Sequence, residues 1–182
     1  MRTVTKQINI YDYNDLLANK ELKKRVLENL CDINIDYNWW NDIFECWADT
    51  LAPKGFKNCM LTEFDVYRRT IDVRFDFDLS ILIENSKLTL KEKKILNYLY
   101  ENDLYDIYNS NFDGIDYTRD NHSCIRSLIY KFESELKERI DDINLSILDK
   151  LREEYDARTS EEWILETIQI NGYEFLEDGT IA

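Results

Sequence analysis

The chain has 182 residues and a net charge of -14 from 23 Lys+Arg against 37 Asp+Glu, and it is 44% hydrophobic and 13% aromatic, too much apolar side chain for a disordered polymer. A chain of this length buries roughly 70% of its unfolded surface, so it reads as one domain over 1-182 with no need of a disulfide staple. One Pro and four Gly exclude a flexible linker, and so negative a field repels nucleic acid and membrane surfaces.

Val4 to Tyr11 alternates as a strand, with Val4, Ile8 and Ile10 on one face. Asn14 or Asp15 caps a helix with the stripe Leu16, Leu17, Leu22, Val26, Leu27 and Leu30, broken near Asn19. Asp36-Tyr37-Asn38 starts another helix that sets Trp39, Trp40, Ile43, Phe44 and Trp47 at helical spacing and ends before Pro53 and Gly55. A hairpin follows. Met60, Thr62, Phe64 and Val66 alternate, Arg68-Arg69-Thr70 provides a turn, and Ile71, Val73, Phe75, Phe77 and Leu79 alternate strictly with Asp72, Arg74, Asp76 and Asp78.

Thr89-Leu90-Lys91-Glu92 is a capping box for a helix running through Ile95, Leu96, Leu99 and Tyr100 towards Ile107, with a loop around Asn109 to Asp120 after it. From Ile125 to Tyr155 the apolar positions step by three and four. Read literally this is one helix, far beyond the usual length of about 11 or 12 residues. The alternative is a strand over His122 to Phe132 feeding a helix from near Ser134, and short apolar runs do not separate the two cases. Ser160-Glu161-Glu162 caps a short helix through Trp163 and Ile164. Asn171-Gly172 suits a type I′ turn, so Ile168-Ile170 and Tyr173-Phe175 form a terminal hairpin, or Tyr173-Phe175 joins the main sheet. The expected class is α+β, a small antiparallel sheet packed against several helices.

No apolar run approaches the roughly 20 residues that span a bilayer, and Met1 to Gln7 lacks the apolar core of a signal peptide. The expectation is a cytoplasmic protein with reduced thiols, in which Cys31, Cys46, Cys59 and Cys124 serve as small core hydrophobes.

The single His removes most nucleophilic triads at once. His122 and Cys124 form half of a metal site if the segment is a strand, where positions two apart share a face; on a helix they stand about 200° apart. Zinc is the ion such a pair would take, and otherwise no cofactor is expected. Asp72, Asp76 and Asp78 project from one strand face and offer Mg²⁺ ligands or an acid and base for a small hydrolase. A solvated face with Arg74 among the acids accounts for them more simply. Gly55, Gly114, Gly172 and Gly179 are isolated, so no phosphate-cradling loop is present, and the cluster Lys20, Lys23, Lys24 and Arg25 is too small to argue for DNA or RNA binding.

The charge distribution is more informative. Residues 1–100 carry 15 basic and 16 acidic side chains, and residues 101–182 carry 8 and 21. The candidate partner surface comprises Asp103, Asp106, Asp113, Asp116, Asp120, Asp141, Asp142, Asp149, Glu153, Glu154 and Asp156, with Glu161 and Glu162 beyond it. Helical carboxylates repeated each turn approximate, sparsely, the phosphates of one DNA strand. The competing reading is a solvated helix face on which Lys137, Arg139, Lys150 and Arg152 form local ion pairs.

Two blocks carry a resemblance. Glu28-Asn29 with Asp32-Ile33-Asn34-Ile35-Asp36-Tyr37-Asn38-Trp39-Trp40, and Asn171-Gly172-Tyr173-Glu174-Phe175-Leu176-Glu177-Asp178-Gly179, resemble a family of small, mostly uncharacterised phage and prophage proteins. Where relatives carry a Gly-rich aromatic segment in the central hairpin, this chain has Phe64-Asp65-Val66-Tyr67-Arg68-Arg69. The resemblance implies a mobile-element origin and an α+β fold, and supplies no catalytic residues. Small acidic proteins of that origin are similar to inhibitors of host defence, including anti-CRISPR proteins. The partner so implied is a host protein with a basic nucleic-acid-binding surface, such as a CRISPR effector nuclease.

Overall fold

The structure, a computed structural model, describes residues 8–102, 104–105 and 122–182, with the His122 side chain left out. The class is α+β, with seven α-helices and one two-stranded antiparallel sheet among the described residues. These residues gather in two compact units, one of 8–40 and 151–182, the other of 41–150.

In the first unit, helix α1 (Tyr13–Ala18) starts at Asp12, whose carboxylate accepts bonds from the backbone N–H of Asn14 at 2.8 Å and Asp15 at 2.9 Å, while the Asp15 carboxylate accepts from Asp12 N at 3.2 Å. The cap therefore sits two residues before the earliest one expected, because an aspartate pair closes a reciprocal box there. Asn19 ends α1 in an extended conformation and caps α2 (Lys20–Asn29), so the expected break is real. Strand Val4 to Tyr11 is not formed where it can be seen. Residues 8–10 have no regular structure, and Tyr11 makes one bridge to Phe175; residues 4–7 lie outside the described residues.

The last helix of this unit, α7 (Glu161–Asn171), is longer than expected and overturns the terminal hairpin. Gly172, at φ 63, caps it, and its N–H donates to the Gln169 carbonyl at 3.3 Å. The positive φ that an Asn-Gly turn demands serves a helix C-cap equally well. Nor does Tyr173–Phe175 enter the main sheet: Phe175 bridges Tyr11 on one side and Ile181 on the other. Leu16, Leu22, Val26, Ile164, Ile168 and Phe175 form the core of the unit.

In the second unit, α3 (Asn41–Leu51) begins later than expected, after a turn at 37–40 that leaves Trp39 and Trp40 outside it. A 3-10 turn through Pro53 and Gly55 at φ 95 lead into β1 (Phe56–Asp65), which pairs with β2 (Thr70–Phe77). The hairpin is as read, except that Val66 falls in the turn. Phe56 stacks edge-on with Phe75 and Phe77, at 5.3 and 6.1 Å between ring centres. The second strand stops at Phe77, and Leu79 opens α4 (Leu79–Glu84) because Asp78 accepts from Ile81 N at 3.2 Å as its N-cap. Helix α5 (Leu90–Glu101) starts at the Thr89–Glu92 capping box as expected.

Helix α6 (His122–Arg158) is one element of 37 residues and contributes its last turns to the first unit. The strand over His122 to Phe132 does not form. Leu128, Ile129, Phe132 and Leu136 are all buried at helical spacing, on the same side as Ile147 and Leu151 further on, so the apolar period never switches from 3.6 to 2. In the second unit α6 is tied down by Arg139, whose guanidinium lies 5.4 Å from the Phe56 ring centre, by Lys131–Glu92 at 2.8 Å, and by Glu135, whose carboxylate accepts from Lys87 N at 2.9 Å.

Candidate functional site

With its apolar side buried, α6 turns a different set of residues to water. Successive residues rotate by about 100°, which puts Glu138, Asp141, Asp142 and Asp149 within an arc of about 100° opposite the core side. All four are exposed. Asp149 is held by Arg69 of the hairpin turn at 3.2 Å, and both side chains remain more than half exposed, at 58% and 57%. Glu138, Asp141 and Asp142 have no ion pair among the described residues. Four carboxylates in about 17 Å of helix axis, about one per 5.5 Å, follow more sparsely the one charge per 3.4 Å of a single DNA strand.

The remaining candidates fall into three groups. Asp103, Asp106, Asp113, Asp116 and Asp120 lie outside the described residues. In the last turns of α6, Glu153 and Asp156 are exposed, with Asp156 3.8 Å from Arg152. Glu154 points elsewhere: its carboxylate accepts from Arg158 Nε at 2.8 Å, and Arg158 itself lies over the Trp163 ring at 5.9 Å and donates to Asn34 O at 3.3 Å. Local pairing therefore claims the C-terminal turns of the helix and leaves Glu138, Asp141 and Asp142 without an ion pair among the described residues. Of the two acids beyond, Glu161 is taken by Lys23 at 2.5 Å.

The alternative candidates are placed differently from the expectation. His122 and Cys124 both stand on a helix, so their positions are about 200° apart and the shared face of a strand is lost. Among the described residues no group of three or more His, Cys, Asp or Glu is placed to hold a metal. The three hairpin aspartates are each engaged separately: Asp72 accepts from the Thr62 hydroxyl, Asp76 from Asn58 Nδ2 at 2.6 Å, and Asp78 from Lys57 Nζ at 2.6 Å. Asp78 has left the strand face altogether, and its lysine and backbone partners hold its carboxyl below the usual range.

The cysteines also differ from expectation. Cys31, Cys46 and Cys124 are exposed free thiols and Cys59 is half-buried, its thiol pushed up by burial. Each of the three exposed ones falls outside the buried set of its segment, Val26 for Cys31, Phe44 for Cys46 and Leu128 for Cys124, so an apolar neighbourhood in sequence did not amount to an apolar face in space.

One feature escaped the sequence. Helix α3 buries Phe44 and Leu51, at 8% and 1% exposure, while Ile43, Cys46, Trp47 and Thr50 face a separate groove together with Lys150. The signal lies in the i, i+3, i+4, i+7 spacing of those four residues, which a single stripe of Trp39, Trp40, Ile43, Phe44 and Trp47 conceals.

The fold thus defines an α+β protein whose most distinctive exposed feature is an acidic helix face. No helix among the described residues is long and apolar enough to cross a membrane. No family model, no curated protein and no solved structure matches the chain.

Proposed function

We propose that this is a non-catalytic binding protein, an inhibitor of host defence of the anti-CRISPR kind, which lays the exposed side of α6 against the basic nucleic-acid channel of an effector nuclease and hinders DNA entry. The observation that carries the reading is that Glu138, Asp141 and Asp142 are exposed on one side of a rigid helix and none is spent on an ion pair among the described residues. Such a surface raises association rates through long-range attraction and selects basic partners. Phage origin rests on the resemblance of the Asp32–Trp40 and Asn171–Gly179 blocks.

The test is titration of the protein against a panel of purified, guide-loaded CRISPR effector nucleases across a salt series. Binding to at least one member should weaken steeply as salt rises, and the double change Asp141→Lys, Asp142→Lys should weaken it about tenfold or more at low salt. Tight binding indifferent to salt and to the double change refutes the mechanism, and no binding to any member refutes the choice of partner.

A further inference from the structure

We infer that α3 carries a second docking site, an apolar groove that accepts a lysine- or arginine-bearing amphipathic helix of a partner protein. Ile43, Cys46, Trp47 and Thr50 line a groove of about 460 Å³ with Lys150 on its far wall. Ile43 and Trp47 are only half-buried and Cys46 and Thr50 are exposed, so the described residues leave this strip uncovered. Thr50 turns its hydroxyl back to donate to the Cys46 carbonyl at 2.9 Å, which spends its hydrogen within α3. Four positions at i, i+3, i+4 and i+7 form the straight strip against which a helix seats its own apolar anchors.

Charge decides what kind of helix. On the edge of α3 away from the core stand Asp42, Glu45 and Asp49, all exposed, and the helix Asn41–Leu51 contains no basic residue. Glu45 accepts from the Asn41 side-chain amide at 2.7 Å, a neutral partner that leaves its charge in place, and none of the three acids has an ion pair among the described residues. Against these three negative charges the groove sets, among the described residues, one positive side chain, Lys150. A neutral or acidic helix would bury apolar area there against an unrelieved negative rim, whereas a helix with Lys or Arg beside its apolar stripe neutralises that rim as it docks. The inference stands on α3 and Lys150 and does not depend on the reading of the acidic face at 138–142.

The experiment uses the intact protein and a capped Leu/Lys amphipathic peptide of about five helical turns, with a scrambled peptide of the same composition as control. The readout is the rate of iodoacetamide alkylation at each exposed cysteine, resolved by mass spectrometry. The amphipathic peptide should slow alkylation of Cys46 about tenfold at saturation and leave Cys31 and Cys124 unchanged, and it should bind about tenfold or more tightly than the scrambled one, the worth of one buried leucine-sized anchor. Thr50→Glu should abolish that preference while Asp141→Lys, Asp142→Lys should preserve it, which separates failure of this site from failure of the α6 face. Equal protection of all three cysteines, equal binding of both peptides, or protection of Cys46 by self-association in the absence of peptide overturns the proposal.

Discussion

Replacing Gly179 by alanine should unseat the C-terminal tail, and the cost can be worked from two sources. Gly179 has φ +83, a left-handed conformation that costs a side chain about 1–2 kcal/mol. A Cβ there would also stand 2.9 Å from Arg25 C, Arg25 Cβ and Val26 N, atoms of a helix that cannot yield as a flexible side chain would. Restoring an ordinary contact of 3.4 Å means that the tail retreats by about 0.5 Å, an overpacking penalty of about 1–3 kcal/mol. That retreat also lengthens two bonds that pin the tail to α2, Arg25 Nη1 donating to Glu177 O at 2.9 Å and Asn29 Nδ2 donating to Asp178 O at 3.2 Å. The total is about 2–5 kcal/mol. Gly172 provides the internal control: it has φ +63 but nothing within 4 Å of its would-be Cβ, so Gly172→Ala should cost only the conformational part, about 1–2 kcal/mol. Urea denaturation followed by far-ultraviolet circular dichroism measures both. Equal losses for the two variants would refute the claim that contact with α2, rather than backbone conformation, makes Gly179 indispensable.

The capping box of α5 gives a further prediction: Thr89→Ala should cost about 1 kcal/mol, read from the same denaturation curves. Lys131, followed by the Thr89 N–H and hydroxyl, holds the Glu92 carboxyl at about 2 against its ordinary 4.5. Because the folded value is the lower one, this contribution is complete above about 4.5 and disappears as the pH falls through about 2; carbon-detected NMR should find that midpoint, and Lys131→Ala should raise it. In an alkylation time course without ligand, Cys31, Cys46 and Cys124 should react together and Cys59 last, because burial both shields its thiol and raises its pKa. Phe175, fully buried among Leu16, Val26 and Ile168, should cost about 3–5 kcal/mol as alanine, and a loss under 1 kcal/mol would show that the first unit is not organised around it.

What the sequence disclosed was local chemistry. The Thr89–Glu92 box, the Asn19 break and the alternation from Ile71 to Phe77 each depend on a few neighbouring residues whose side chains satisfy their own backbone or share one face. What it concealed needed distant partners. Asn171-Gly172 supplies a positive φ, and only the packing of Ile164 and Ile168 onto α2 residues such as Val26 decides that a helix, not a strand, precedes it. The first ten residues of α6 did carry the helical signal, Leu128, Ile129, Phe132 and Leu136 stepping by three and four and all buried, but over so short a run spacing alone does not separate helix from strand. On the acidic face, sequence located Asp141, Asp142 and Asp149 but not Glu138, and it could not foresee that Glu154 would be claimed by Arg158.

Glu138 bears on whether the acidic face is kept for stability or for binding. Three and four residues after it come Asp141 and Asp142, and three before it Glu135, so every charged neighbour along its helical face repels it. Like charges at these spacings destabilise a helix by about 0.2–0.5 kcal/mol each, whereas the final turns of α6 place opposite charges at the same spacing, as in Arg152–Asp156 and Glu154–Arg158. Lys137 and Arg139 stand at the same spacings from Asp141 and Asp142, yet no ion pair joins them among the described residues, so Glu138 is the position where repulsion along the face is unrelieved. Glu138→Lys converts the three repulsions to attractions and should raise stability by about 1–3 kcal/mol while weakening association with a basic partner. Denaturation midpoints and binding constants measured on the same variant decide between the two roles. If Glu138→Lys lowers stability, the carboxylates of 138–142 serve the fold and the docking face loses its physical basis.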